Sequence, residues 1–243
     1  MKSISISEAL KKGWQLTKSH YGFLISSAGI YLVLSIVSNI ISHLAQHAHS
    51  ATEFLLGVCL ILIGVLTLLF DIGIIRSILD IYDGGHPKVG DLFSHTEFFW
   101  RFFLVALLFG AIGAAFSLVA MLILFISVFL SLHFFISSVL YILLIVVVIA
   151  LMVCGATLFL RLSLASIVLI DLNTGTIEAF KKSMEITKGH VWKLIGFGIV
   201  FILLNIVGAL VLVVGLFVTI PVTLLAYITL YRSLQNTPKN AIS

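Results

Sequence analysis

The chain has 243 residues, 61% of them hydrophobic and only 10% charged, and its mean hydropathy is +1.24. A soluble domain carries about one quarter charged residues, so water is not the main solvent of this fold. The net charge of +4 comes without any RNA- or DNA-binding motif, which removes the nucleic-acid reading and leaves the basic residues as topology signals.

The first predicted element is an amphipathic helix. Ser5-Ile6-Ser7-Glu8 fits a capping box at its start. Beyond it, Leu10, Trp14, Thr17 and Tyr21 fall at i, i+4, i+7 and i+11, giving one apolar stripe with the lysines largely off it. Such a helix lies in the headgroup layer, with Trp14 among acyl chains and Lys11, Lys12 and Lys18 reaching water and lipid phosphates. No cleavable secretory signal is expected, because the first apolar run starts near residue 21 and is long enough to be a permanent span.

Four apolar stretches follow, at 21–42, 54–75, 102–160 and 194–231, with Asp71 the one charged residue in them. A bilayer core about 30 Å thick needs about 20 residues per helical crossing. The first two stretches are single spans. The third must fold back, with the turn expected at 127–138, and the fourth must do so at 211–215. Six transmembrane helices result.

All 14 Lys and Arg lie in four segments: before residue 21, from Arg76 to Arg101, from Arg161 to Lys193, and in the tail at Arg232 and Lys239. Under the positive-inside rule these segments share the cytoplasmic side, so an even number of crossings separates each from the next. The fold class is therefore all-α, a polytopic helical membrane protein of six transmembrane helices arranged as three hairpins with amphipathic interfacial helices. Cys59 and Cys154 sit inside the apolar runs and read as small apolar side chains with neither a disulfide nor a redox role.

Residues 8–20 align without a gap to residues 178–190, and seven of the thirteen pairs are identical. In the second copy Phe180, Met184, Thr187 and Val191 repeat the stripe, so Lys181, Lys182, Lys188 and Trp192 join the residues expected at the lipid interface. A fainter third copy runs from Gly90 to His95 and on to Trp100-Arg101, which echoes Trp192-Lys193. The expected repeat units are 1–83, 84–172 and 173–243 of one membrane domain. Each unit has an even number of crossings, so the repeats are parallel, unlike the inverted repeats of many transporters.

Gly215-Leu216-Phe217-Val218-Thr219-Ile220-Pro221, then Ala226-Tyr227 and Tyr231-Arg232-Ser233-Leu234, together with the segment from Glu178 to Leu194, resemble a group of bacterial membrane proteins. That group includes the membrane domain attached to some glycerophosphoryl diester phosphodiesterases and the YciC-like inner-membrane proteins. The similarity is clearest over residues 174–234. It implies a polytopic α-helical domain in a bacterial cytoplasmic membrane. It does not imply phosphodiesterase activity, because in the fused proteins catalysis belongs to a separate soluble barrel of about 250 residues.

Asp71 is the leading single candidate, since an acid in the last turns of an apolar span is costly. Its expected partner is Arg76, Arg161 or Arg232, and Arg76 is disfavoured by a spacing of five along one helix. His43, His47, His49 and Glu53 form an outer polar cluster read as loop polarity, with no metal expected. Asn39, Asn205, Gly110, Gly113 and Ala114 read as helix-packing positions. Asp80, Asp83, His86 and Asp91 are the densest candidates for headgroup chemistry, and solvated-loop polarity explains them as well.

No Walker loop, dinucleotide fingerprint, HExxH or nucleophile elbow occurs, so neither an enzyme nor a cofactor is expected. The expected role is a non-enzymatic one through membrane lipids and other membrane proteins as partners. The alternative is a transporter or permease for a lipid or small amphipathic solute.

Overall fold

A computed structural model describes residues 5–47, 51–133, 138–210 and 215–235. Among these residues the regular structure is helical throughout, and six helices are long and apolar enough to cross a membrane. Helix α1 (Ile6–Ser19) leads into the hairpin of α2 (Tyr21–Gln46) and α3 (Ala51–Tyr82). Two short 3-10 turns, Val89–Phe93 and Thr96–Phe98, precede α4 (Phe99–His133), which pairs with α5 (Ser138–Leu162) and its continuation α6 (Ala165–Leu172). Helix α7 (Thr176–Thr187) leads into the last hairpin, α8 (Val191–Leu210) and α9 (Leu216–Gln235). The turns between the two spans of each hairpin fall largely outside the described residues.

The capping box forms as the sequence dictates. Ser5 Oγ accepts from the Glu8 amide at 3.2 Å and Glu8 Oε2 accepts from the Ser5 amide at 2.8 Å. At the other ends, Asn173 adopts a left-handed conformation (φ 49°) that stops α6, and Gly84 (φ 93°) turns the chain out of α3.

Of the two arginines at which apolar stretches stop, Arg76 lies inside α3 and Arg161 in the last turn of α5. Arg76 is followed by six more residues of α3, and Arg161 is followed, across a break at 163–164, by α6. The reason is burial: Ser77, Ile78, Leu79 and Ile81 on α3 and Leu164 to Ile170 around α6 join Leu225 to Leu234 of α9 in one core. This core sits at the basic end of the bundle. Towards the opposite end the spans separate, and large apolar side chains such as Phe54, Met121, Ile142 and Leu210 are exposed.

The neighbours follow one order around the bundle. The first span of each hairpin packs on the second span of the hairpin before it: α4 on α3, α8 on α5, and α2 on α9, which closes the ring. The segment preceding each hairpin does likewise, with Val89–Phe93 on α3, α7 on α5 and α6, and α1 on α9.

Small residues make these dockings possible. Ala9, Gly13 and Thr17 are the buried positions of α1, and the aligned Ala179, Ser183 and Thr187 are those of α7. The burial class agrees at every position when 5–20 is laid on 175–190. A Cβ on Gly13 would stand 2.7 Å from the Val222 carbonyl oxygen and 3.0 Å from the Ala226 amide, so only glycine lets α1 approach α9 this closely. At the same place in α7, Ser183 Oγ donates to the Arg161 carbonyl at 2.6 Å. Thr17 and Thr187 each donate to the carbonyl four residues earlier, at 2.8 Å.

Other packing positions read from sequence are placed differently. Asn205 makes its interhelical bond, accepting from Thr219 Oγ1 at 3.0 Å, whereas Asn39 donates only to Ser35 of its own helix. A Cβ on Gly110 or Gly113 would meet nothing within 4 Å, so these glycines admit no close neighbour. The segment 90–95 forms 3-10 turns instead of an interfacial α-helix, and it inserts Leu92 against Gly73, where a Cβ would collide with the Leu92 backbone.

Candidate functional site

Three second spans end at the basic face, and their last turns carry Asp83, Asp171 and Arg232. Arg232 holds all three together. Its Nη2 lies 2.8 Å from Asp83 Oδ2 and 3.0 Å from Asp171 Oδ1, while Nη1 donates to Asp171 Oδ2 at 3.1 Å. Tyr231 OH adds a bond of 2.7 Å to the same carboxylate. Asp171 is 9% exposed and Arg232 19%, so this two-pronged pairing works in a sheltered setting. One guanidinium bridges two carboxylates, and the set acts as a clasp across the three hairpins.

The four residues first considered for Asp71 and its partner do not come together. Arg232 is engaged in the clasp. Arg161 donates from Nη2 to the Met184 carbonyl at 3.1 Å, tying α5 to α7, and its buried Nε has no partner. Arg76 is exposed. Among the described residues Asp71 has no hydrogen bond and no ion pair. Of the cations that sequence reasoning offered it, Arg232 is taken by Asp83 and Asp171 and Arg161 by the Met184 carbonyl, while Arg76 points to the exposed side.

A groove of about 670 Å³ runs along the faces of α2, α3 and α4 above Asp71. Ser38, Leu60, Gly64, Thr67, Leu68 and Phe103 are among its lining residues. Thr67 and Asp71 are four apart on α3 and so share a face, which puts the carboxyl one turn beyond the groove's basic end.

The residues assigned to the lipid interface divide into two groups. Lys11, Lys18, Lys181, Lys188 and Trp14 are exposed, and Trp192 is 86% exposed. Trp14, Trp100 and Trp192 all lie near the starts of first spans, as in the aromatic belt of a membrane protein. Lys12 instead lies with Nζ 3.7 Å from the centre of the Tyr82 ring, a cation–π contact linking α1 to α3. Lys182 pairs with Glu185 at 3.5 Å, a surface contact of small energetic weight.

Asp80, Asp83, His86 and Asp91 do not converge. Asp83 is in the clasp, Asp91 Oδ2 accepts from the Lys88 amide at 2.8 Å, and His86 Nδ1 lies 3.0 Å from His20 Nε2. On the opposite face the rings of His43 and His47 lie with centres 5.0 Å apart, tilted by 59°, while His49 falls outside the described residues. No group of three or more metal-ligating side chains occurs among the described residues.

Asp171 escaped the sequence reading because it sits in an apolar segment without a motif, and Tyr231 was read only as part of the family resemblance. The small-residue stripe at 9, 13 and 17 was visible in the alignment itself, where the aligned positions hold Ala, Ser and Thr.

Six apolar helices, an open apolar end and a charged, tryptophan-ringed end define an all-α multi-pass membrane protein. The chain belongs to the family described as protein of unknown function (DUF975), which matches residues 14–238. No curated protein and no solved structure matches it.

Proposed function

We propose that the chain is a non-enzymatic protein of the bacterial cytoplasmic (inner) membrane, with both termini and the basic end of the bundle cytoplasmic. It acts through contact with membrane lipids and through association with other membrane proteins. The observation that carries this reading is the uneven burial. Half of the last span's most apolar window is buried, whereas the corresponding windows of α4 and α5 are 6% and 0% buried, which leaves long apolar surfaces for lipid or for another membrane protein.

Several features support the finer parts of the proposal. The separate partners of Asp83, His86 and Asp91 favour a non-enzymatic role. The shared burial pattern of 5–20 and 175–190, with the cyclic order of neighbours, favours three parallel units at 1–83, 84–172 and 173–243. The resemblance of 174–234 to phosphodiesterase-attached and YciC-like membrane domains favours a bacterial inner-membrane location. A transporter or permease for a lipid or small amphipathic solute is the second reading, and the groove that ends near Asp71 is what favours it.

Lipid contact is testable by thermal unfolding of the purified protein in mild detergent with and without added anionic phospholipid. Added lipid is expected to raise the Tm. Exchanging the exposed Lys11, Lys18, Lys181 and Lys188 for glutamate removes about 1 kcal/mol of attraction per lysine and abolishes most of the gain. An equal Tm with and without lipid, in wild type and variant alike, contradicts the reading.

A further inference from the structure

The groove on α2, α3 and α4 is lined by Leu60, Ile61, Ile63, Val65 and Leu68 of α3, by Ser38 and Ser42 of α2, and by Phe99 and Phe103 at the start of α4. From Leu60 to Leu68 is about 12 Å along the helix, at 1.5 Å per residue. That length fits inside one leaflet, half of a hydrocarbon core about 30 Å thick. The groove is therefore long enough to seat part of one acyl chain.

Asp71 supplies the second half of the argument. It lies about 4.5 Å further towards the basic end than Leu68, three residues along α3. There it is half-buried, next to Phe70, whose ring meets Tyr31 of α2 at 5.8 Å. An acid at such a depth is costly unless it gains a counter-charge or a hydrogen-bond donor. Arg161 and Arg232 are held by Met184 and by the two aspartates, Arg76 is exposed five residues further along the same helix, and among the described residues no cation pairs with Asp71. The carboxyl is therefore open to a partner from outside the chain, and it lies beside an apolar slot.

We propose that the α2–α3–α4 groove and Asp71 together bind a phospholipid of the basic-side leaflet whose headgroup carries a primary ammonium, with the acyl chain along Leu60 to Leu68 and the ammonium at Asp71. This rests on the lipid-contact reading and sharpens it to one lipid class. Neutralising the carboxylate removes selectivity for the head. Filling the slot removes the seat for the tail. Gly64 lines the groove, and a Cβ there meets nothing within 4 Å, which makes it the position for the second change.

The test uses the full-length protein, delipidated and then equilibrated with equal amounts of phosphatidylethanolamine and phosphatidylglycerol, with the retained lipid identified by native mass spectrometry. Wild type is expected to retain phosphatidylethanolamine over phosphatidylglycerol by about tenfold, the scale of one charge-assisted hydrogen bond. Asp71→Asn is expected to lose that preference while still retaining lipid, and Gly64→Phe to retain less of both. No preference in wild type, an unchanged preference in Asp71→Asn, or a second protein chain retained in place of lipid would each overturn the proposal. Retention of both lipids without preference leaves general lipid contact standing, whereas no retention and no lipid-dependent Tm would remove both.

Discussion

Replacing Arg232 with alanine is expected to destabilise the bundle by about 3–5 kcal/mol, the scale of breaking a buried ion pair from one side. The guanidinium is the only cation bonded to Asp171 among the described residues, and the sheltered carboxylate would be left with Tyr231 alone. Asp83 is 56% exposed, so its loss of a partner adds little. Arg232→Lys keeps the charge but not the fork that meets both Asp171 oxygens, and an intermediate loss is expected. Removing both charges, as Arg232→Met with Asp171→Leu, is expected to recover most of the stability, because the penalty comes from the stranded charge. Unfolding in a graded detergent series measures all three. Equal stability of wild type and Arg232→Ala would mean that the clasp does not hold the hairpins.

The second large effect is expected at Gly13. Leucine there must either part α1 from α9 or distort the Val222 to Ala226 backbone, a strain on the scale of 1–3 kcal/mol for overpacking. Because α1 is a short helix docked chiefly on α9, with Lys12 adding one contact to Tyr82 of α3, release is the cheaper response. Limited proteolysis is then expected to cut near the junction of α1 and α2 in Gly13→Leu while sparing wild type. Gly22→Ala is the control, since its Cβ meets nothing within 4 Å and alanine in a helix is favoured over glycine by roughly 0.5–1 kcal/mol. Unchanged proteolysis in Gly13→Leu would show that the close approach of α1 to α9 is not needed.

These two positions also mark what could and could not be seen in the residues alone. Apolar length and the clustering of Lys and Arg were enough for six spans with every described basic segment at one end, because hydrocarbon thickness and charge cost act on single segments. The capping box at Ser5 and Glu8 was legible for the same reason, being local. Span ends were not. Arg76 and Arg161 looked like the water boundary, yet the apolar turns beyond them bury one another in a core that only three hairpins together can build.

Periodicity also drew attention to the large residues of α1, Leu10 and Trp14, when the docking face is its small ones. A stripe scale rewards apolar bulk, whereas close helix contact rewards its absence. For Asp71 the residue was found and its partner was not. A lone acid in a span shows that something is owed a counter-charge, but only the positions of Asp83 and Asp171 reveal that Arg232 is already spent.

The membrane arrangement underlies every part of this account, and site-directed labelling addresses it directly. In a chain with Cys59 and Cys154 changed to alanine, single cysteines at Ser50, Ser137 and Lys188 are exposed to a membrane-impermeant maleimide on intact cells. Ser50 and Ser137 lie outside the described residues in connections free of Lys and Arg, and Lys188 is exposed at the end of α7. Ser183 on the same helix would be a poor reporter, being buried with its hydroxyl on the Arg161 carbonyl. Labelling at 50 and 137 in intact cells, with 188 reacting only after the membrane is opened, is the predicted result. Reaction of 188 from outside, or of all three alike, would contradict it.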